Sequence, residues 1–396
     1  MGFTSGLVLT LCTISFLLCI WIVIPAPIFA LLPLSVGTPE ISPWLLVINI
    51  TIATPLIFVV VKSQSNWAFR VSLTLIISAL ILSALPLSQL SQARSKADQS
   101  MTLNLSQDVL KNPNLDRSKF RQQPFNFTDA FRGFTPVPVR ETVDVTFANP
   151  DRRVTLKLNV YRPPTIGNYP AIVLVYGGAW QRGTPGQDAT FSRYMANQGY
   201  VVWAISYRYA PQYHFPAQLN DVRSALTFIQ QHATEYETDV TRMAIMGRSA
   251  GAQLASLAGY ESGPIAFRAV VNYYGPVNLT AGYYDVPTPD PIGSRSVLTD
   301  FLGGTPEEKG AEYAAASPLN AVRQNLPPSL LIYGGRDHIV MSKFGKGLAK
   351  ALTDQNNQAV FIEIPWADHA FDSVFQGVSH QFALYYTERF LAWTLR

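Results

Sequence analysis

Cysteine is almost absent: the 396 residues contain two, Cys12 and Cys19, seven apart in one apolar run. They place no disulfide framework in the chain, and no thiol chemistry in anything that follows them. This leaves the compartment open, since a lack of disulfides suits either side of a membrane. Histidine is also scarce, at five residues, and no cluster of His, Cys or carboxylates has metal-ligand spacing. Neither a metal nor an organic cofactor is called for. The net charge of +4 is modest and never gathers into a long basic block, so there is no case for nucleic acid as a partner. Charge itself is missing from the first part of the chain: between Gly6 and Leu90 the only ionisable acids and bases are Glu40, Lys62 and Arg70. The chain therefore has two regions suited to different solvents.

Three long apolar stretches occupy the uncharged part, at about 7–32, 44–61 and 69–87. Each approaches or exceeds the roughly 20 residues that cross about 30 Å of hydrocarbon as a helix. The first is too long, and lacks the basic start, for a cleaved signal peptide. Pro25, Pro27 and Pro33 make its end irregular, and Pro55 interrupts the second stretch. Trp21, Trp44 and Trp67 suit membrane interfaces. Residues 1–90 thus read as a multi-pass membrane region of about three transmembrane helices, with the amino terminus and the remaining chain on opposite sides. Lys62 and Arg70 nearly balance Arg94 and Lys96; the further Lys111, Arg117, Lys119 and Arg121 tilt the expectation towards a cytoplasmic catalytic domain in the aqueous phase.

Residues 91–134 are polar and of mixed charge and predict a linker, partly disordered or partly helical. Its phenylalanines, Phe120, Phe125, Phe127, Phe131 and Phe134, either pack on the following domain or dip into the membrane interface. From 135 to 396 strands alternate with helices. Two alternating segments, 139–147 and 154–161, predict antiparallel strands. Near-continuous apolar runs follow at 171–175, 200–205, 243–246, 269–273, 330–333 and 360–364, as a parallel sheet covered on both faces requires. Helices are expected at 217–232, 250–260, 343–354 and 373–393. The fold class is α/β with a mostly parallel central sheet. Residues 276–317, rich in Tyr, Pro and Gly, break the rhythm and predict a cap, with Tyr283, Tyr284, Phe301 and Leu302 as acyl-pocket candidates.

Gly247-Arg248-Ser249-Ala250-Gly251 follows one predicted strand and opens a helix. A G-x-S-x-G at that place is a nucleophile elbow: its glycines relieve crowding where the backbone turns sharply to present Oγ. A serine hydroxyl needs a base. His369 lies just after the last strand, where a loop reaches back over the elbow; His338 adjoins the candidate acid and His380 falls in the last helix. Asp337, after the strand at 330–333, is placed to accept Nδ1–H of His369, with Asp368 and Asp372 as competing acids. The order Ser, Asp, His is that of the α/β-hydrolase fold. Negative charge on a tetrahedral intermediate needs preorganised donors. Tyr176-Gly177-Gly178-Ala179-Trp180 follows a strand, which makes Gly177, Gly178 and Ala250 the candidate oxyanion-hole donors.

These motifs resemble the esterase branch of the α/β-hydrolase superfamily that includes hormone-sensitive-lipase-like, feruloyl-esterase-like and kynurenine-formamidase-like enzymes. The resemblance covers about 136–396 and includes Ser206-Tyr207-Arg208-Tyr209-Ala210-Pro211 and His214-Phe215-Pro216-Ala217-Gln218-Leu219-Asn220-Asp221-Val222, similar to that family's "DYRLAPE…FPA…DV". Tyr176 stands where the family usually has His, and Arg248 where the elbow usually has an acidic residue or asparagine. Arg248 either faces the pocket, favouring an anionic substrate, or points to solvent. The apolar spans also resemble the arrangement of prenylcysteine methylesterases. The resemblance implies a serine hydrolase of carboxylic esters, acting on a small amphiphilic or lipid-like ester beside a membrane. An amidase, formamidase or acyltransferase with the same triad, and a non-catalytic membrane scaffold, are the alternatives.

Overall fold

The structure, a computed structural model, describes residues 3–62, 67–110, 120–133 and 138–395. Helices α1 (Phe3–Cys19), α2 (Leu32–Glu40), α3 (Ser42–Lys62) and α4 (Trp67–Asn104) come first, followed by a single turn, α5 (Asp129–Arg132). Three helical segments, Phe3–Ile22, Ser42–Val61 and Trp67–Asn104, are long and apolar enough to cross a membrane. Large apolar side chains such as Leu11, Phe58 and Ile81 stand exposed on them, the pattern of helices that are apolar all round. Inside the bundle Asn49 is the polar centre. It accepts from Ser15 Oγ on α1 and donates to Ser83 Oγ on α4 at 3.3 Å, satisfying three buried polar groups at once.

The first apolar helix stops earlier than expected. It tightens into a turn at Ile20–Ile22, and residues 23–41 then leave the bundle through a second such turn at Phe29–Leu31 and through α2. Pro25 and Pro27, which supply no backbone N–H, fall where the helix ends, whereas α3 runs on through Pro55, expected to interrupt the second stretch.

Residues 91–104 are a helical part of the expected linker, since α4 continues without a break to Asn104. Its 38 residues measure about 57 Å, well beyond a hydrocarbon core. The second half carries Ala93, Ala97 and Met101 at helical spacing, all buried in the core of the α/β unit. It lies along the last strand of the sheet, where Ser100 Oγ donates to Phe361 O at 2.9 Å. The helix therefore covers a sheet edge that would otherwise be open to pairing. Phe127 and Phe131 pack on each other and Phe131 on Trp44, with centroids 5.1 and 4.4 Å apart, while Phe120 and Phe125 join the core. Phe134, Lys111, Arg117 and Lys119 lie outside the described residues. Arg121 pairs with Asp129 at 2.9 Å.

The sheet has eight strands: β1 (Arg140–Asp151), β2 (Val154–Arg162), β3 (Tyr169–Val175), β4 (Val201–Ile205), β5 (Thr238–Arg248), β6 (Ala269–Tyr273), β7 (Ser329–Gly334) and β8 (Ala359–Ile364). Their order is β1-β2-β4-β3-β5-β6-β7-β8. The β1/β2 and β2/β4 pairs are antiparallel and the rest parallel, so the strands read as doubly buried are the parallel ones. Between them lie α6 (Ala189–Asn197), α7 (Ala217–His232), α8 (Ala250–Tyr260), α9 (Leu279–Tyr284), α10 (Ser294–Leu302), α11 (Gly310–Ala315), α12 (Ser342–Asp354) and α13 (Val378–Thr394). The region read as a cap contains α9, α10 and α11.

Residues 23–41 are fastened to the α/β unit by a buried carboxylate. Glu40 accepts from the Ser379 backbone N–H at 2.8 Å and from its hydroxyl, at the start of α13, and the Arg336 guanidinium donates to Val23 O. Burial pushes the Glu40 carboxyl up to about 8 despite the Ser379 donors, with Asp372 adding to the rise. Burial likewise lifts Glu388, which accepts from Tyr194 and Arg121, to about 7. An acid raised in the folded state binds protons that the unfolded chain has released, so stability falls as pH rises from the unfolded carboxyl range through the folded values. Melting temperature is accordingly expected to decline from about pH 5, just above the unfolded carboxyl range, to about pH 8. Glu40→Gln, which cannot ionise, should flatten that slope in a thermal scan; an unchanged slope would remove Glu40 as its source.

Candidate active site

The nucleophile candidate sits where β5 ends and α8 begins. Ser249 has φ 50° and ψ −123°, a strained backbone for a residue with a Cβ, and its N–H is held by Tyr273 O at 2.9 Å. The two flanking glycines are sterically required. A Cβ on Gly247 would lie 2.2 Å from Gly251 O, and one on Gly251 would lie 2.2 Å from Val175 O. The elbow is packed onto the end of the neighbouring strand with no room for a methyl group.

His369 Nε2 lies 2.9 Å from Ser249 Oγ, and its Nδ1 lies 2.8 Å from Asp337 Oδ2. Asp337 is held from its other oxygen, which accepts the backbone N–H groups of Ile339 and Val340 at 2.9 and 2.7 Å. An ionised carboxylate only accepts, so Nδ1 carries the proton and Nε2 is left to accept from the serine hydroxyl. Tyr274 packs edge-on against the imidazole at 4.7 Å. The two competing acids are occupied elsewhere: Asp368 lies 2.8 Å from His338 Nδ1 and Asp372 pairs with Arg248.

Gly177 and Gly178 lie beside Ser249 at the end of β3. A Cβ on Gly177 would meet Arg248 O at 2.8 Å and the Ser249 Cβ at 3.0 Å. Gly178 has φ +141°, and a Cβ there would fall 2.1 Å from Arg182 O. Ala250 opens α8 directly after the serine. Tyr176 braces this loop from behind. Its ring stacks on Tyr207 at 4.7 Å, its hydroxyl is 3.0 Å from that of Tyr209, and its carbonyl accepts from Tyr207 at 3.1 Å. The two motif stretches at 206–211 and 214–222 are joined by Arg208, which donates Nη2 to Asp221 Oδ1 at 2.8 Å.

The solvent alternative for Arg248 is corrected. It is buried, at 5% exposure, with Asp188 against Nη1 and Asp372 against Nε. The guanidinium borders the cavity beside Ser249, where two carboxylates already hold it. Asp188 escaped the sequence reading. The signal for it was indirect, since a buried arginine demands a counter-ion. The acyl-pocket candidates are corrected too. Phe301 and Leu302 are in the core, Phe301 stacked on Trp180 at 4.0 Å, while Tyr284 is 52% exposed and donates to Glu307. Val297 and Leu298, one turn earlier on the same side of α10, line the pocket together with Leu279 and Gly282 of α9.

Two cavities meet at Ser249. A chamber of about 480 Å³ is bounded by Gly177, Gly178, Arg248, His369 and Asp372, and also by Phe29 and Leu32 from the amino-terminal segment. A smaller one of about 70 Å³ is bounded by Trp180, Ala250 and the apolar residues of α9 and α10.

The family model described as BD-FAE matches residues 158–352. "Probable carboxylic ester hydrolase LipM" of Mycobacterium tuberculosis (strain ATCC 25618 / H37Rv) is 28% identical over 317 residues, covering 73% of this chain and 71% of LipM. These matches support the carboxylesterase branch of the α/β-hydrolase superfamily for this chain. The esterase is also 26% identical over 214 residues to "Probable isoprenylcysteine alpha-carbonyl methylesterase ICMEL1" of Arabidopsis thaliana, covering 50% of this chain and 44% of that protein. Among solved structures, "Bacterial Heroin Esterase" superposes with a TM-score of 0.57 at 21% identity, covering 78% of the esterase and 93% of that chain, a likeness of fold. Tyr176 and Arg248, where the esterase departs from the usual pattern of its branch, are both accommodated by buried partners next to the elbow.

Proposed function

We propose that the esterase cleaves carboxylic esters through an acyl-enzyme on Ser249, with His369 as general base and Asp337 orienting it. The observation that carries this reading is the unbroken line from Asp337 Oδ2 through the His369 ring to Ser249 Oγ, at 2.8 and 2.9 Å, on the wall of a chamber open to a substrate. Ser249 Oγ adds to the ester carbonyl while His369 Nε2 takes its proton. The carbonyl oxygen, now negative, is met by the backbone N–H groups of Gly177, Gly178 and Ala250. Collapse breaks the C–O bond to the alcohol, and His369 returns the proton to the leaving oxygen. Water then attacks the acyl-serine with His369 again as base, releasing the acid and restoring the serine hydroxyl. Nothing in this cycle calls for a metal or organic cofactor.

The same reading makes the esterase an integral membrane protein. Three spans, α1, α3 and the first half of α4, put residues 23–41 and the catalytic domain, 135–396, on one side of the bilayer. The contacts of Glu40, Val23 and Trp44 with the α/β unit and the segment before it support that arrangement. A small amphiphilic ester suits a site so placed.

Covalent labelling by a fluorophosphonate, lost in Ser249→Ala, tests the nucleophile. Membranes washed with alkaline carbonate should retain the protein, and its appearance in the wash would refute integral insertion. The oxyanion assignment has its own test: Gly178→Ala should lower kcat by about 10²-fold, since the added methyl must displace Arg182 O and with it the loop. Unchanged turnover of p-nitrophenyl acetate would take Gly178 out of the site.

A further inference from the structure

The two cavities at Ser249 have different roles, fixed by where the proton must go. If Ser249 and His369 act as proposed, the departing oxygen has to reach His369 Nε2, the atom that protonates it, so the alcohol occupies the cavity that His369 lines. That is the chamber of about 480 Å³. The acyl group is left with the apolar pocket of about 70 Å³ on the Trp180 and Ala250 side, which has room for a short chain. The site is therefore asymmetric, with a short acyl group and a bulky alcohol.

The chamber has polar and apolar surface. Polar side chains on it include Gln187, Thr190 and Ser373, which suit the hydroxyl groups of a ligand. Part of its apolar surface comes from Ile292, Ile339 and Phe375, and part from Phe29 and Leu32, which belong to the segment joining the first two apolar helices and not to the sheet-bearing part of the chain. That segment is locked in place by Glu40 on Ser379 and by Arg182, whose guanidinium lies 4.7 Å from the centre of the Phe29 ring. Phe29 is itself 49% exposed, at the edge of both chamber and solvent.

We propose that residues 23–41 form a specificity-determining wall of the leaving-alcohol chamber, through which the esterase selects short-acyl esters of bulky amphiphilic alcohols presented at the membrane surface. The inference rests on the serine-esterase reading above. Phe29 and Leu32 hold the apolar part of the alcohol, and Gln187, Thr190 and Ser373 meet its hydroxyl groups. A connector between two spans is pinned to the bilayer surface, so a wall made from it opens the chamber next to the lipid.

The test compares two acetates that share an acyl group and differ in alcohol: p-nitrophenyl acetate and the acetate of a hexadecyl glycerol ether, both in detergent micelles with full-length protein. The readout is the ratio of their kcat/KM values. Phe29→Ala combined with Leu32→Ala should lower the ratio, glyceryl ether over p-nitrophenyl, by about tenfold, and Phe29→Leu, which keeps an apolar wall, should hold it within about twofold of the starting value. Fluorophosphonate labelling of Ser249 reports that each variant is folded. Should the double variant lose labelling, Phe29→Ala alone, at a side chain already half exposed, takes its place and should still lower the ratio. A labelled variant with an unchanged ratio overturns the wall while leaving the esterase reading intact. Absence of both labelling and turnover in the unaltered protein overturns the esterase reading itself.

Discussion

Ser249→Ala is expected to reduce turnover of p-nitrophenyl esters by at least about 10⁴-fold with little change in stability. The two halves of that expectation have separate causes. In the proposed cycle Oγ is the atom that bonds to the acyl carbon, and among the described residues no other nucleophilic side chain is hydrogen-bonded to His369 Nε2. The strained backbone at φ 50° is held by packing and by the bond from Ser249 N to Tyr273 O, and alanine keeps both the Cβ and the N–H. Melting temperature beside turnover separates a lost nucleophile from a lost fold. Asp337→Asn should approach the same loss, about 10⁴-fold, by a different route: an amide in place of the carboxylate can present its NH₂ to Nδ1, which then favours the tautomer with its proton on Nε2. Activity retained in either variant, measured against wild type at equal fluorophosphonate-independent folding, would place the nucleophile or the orienting acid elsewhere.

Arg248→Met is expected to destabilise the esterase by about 3–5 kcal/mol, and more at high pH than at low. Arg248 is buried between Asp188 and Asp372, with its guanidinium 4.7 Å from the centre of the Phe191 ring. Methionine fills similar volume but leaves two carboxylates without their cation. Asp188 is already held above the ordinary carboxyl range by burial, with Arg248 as the main influence pulling it back. Without that cation its folded value rises further. A folded-state value above the unfolded one means stability present at low pH and lost as pH climbs through the folded value. Denaturation curves for Arg248→Met at acidic and alkaline pH should therefore diverge, and adding Asp188→Asn and Asp372→Asn should recover much of the loss. Equal destabilisation at every pH would show that packing around Phe191, not charge, is what Arg248 supplies. Because Tyr274 both donates to Asp372 and touches His369, kcat should fall with stability.

The elements legible in the sequence were those whose signal is local. Helices at 217–232 and 250–260 and the strand at 269–273 coincide with α7, α8 and β6, because each has its own periodicity and a sharp boundary in Pro, Gly or a polar turn. The G-x-S-x-G elbow was readable for the same reason: five consecutive residues carry both its turn and its chemistry. The packing of the helix at 91–104, in a segment expected to be partly disordered or partly helical, was not legible because it depends on Ala93 and Ala97, small residues in a polar stretch whose burial shows only with β8 beside them. The cap residues were misassigned because apolarity says that a side chain is buried, while only the packing of α10 against its neighbours decides which of its turns meets the pocket.

From the sequence alone came the parallel sheet, the apolar amino-terminal helices, and the order of Ser249, Asp337 and His369, since each follows from patterning within a short stretch or from the spacing of scarce residue types. Tertiary structure alone decided which partner each charge meets and which surfaces share a cavity. Arg248 lies 60 residues beyond Asp188 and well before Asp372, and Phe29 is some 220 residues from Ser249 (about 700 Å of extended chain), yet Phe29 and Ser249 border one chamber. Such contacts are set by how helices and strands pack, and a linear pattern carries no term for the distance between two segments once the chain has folded.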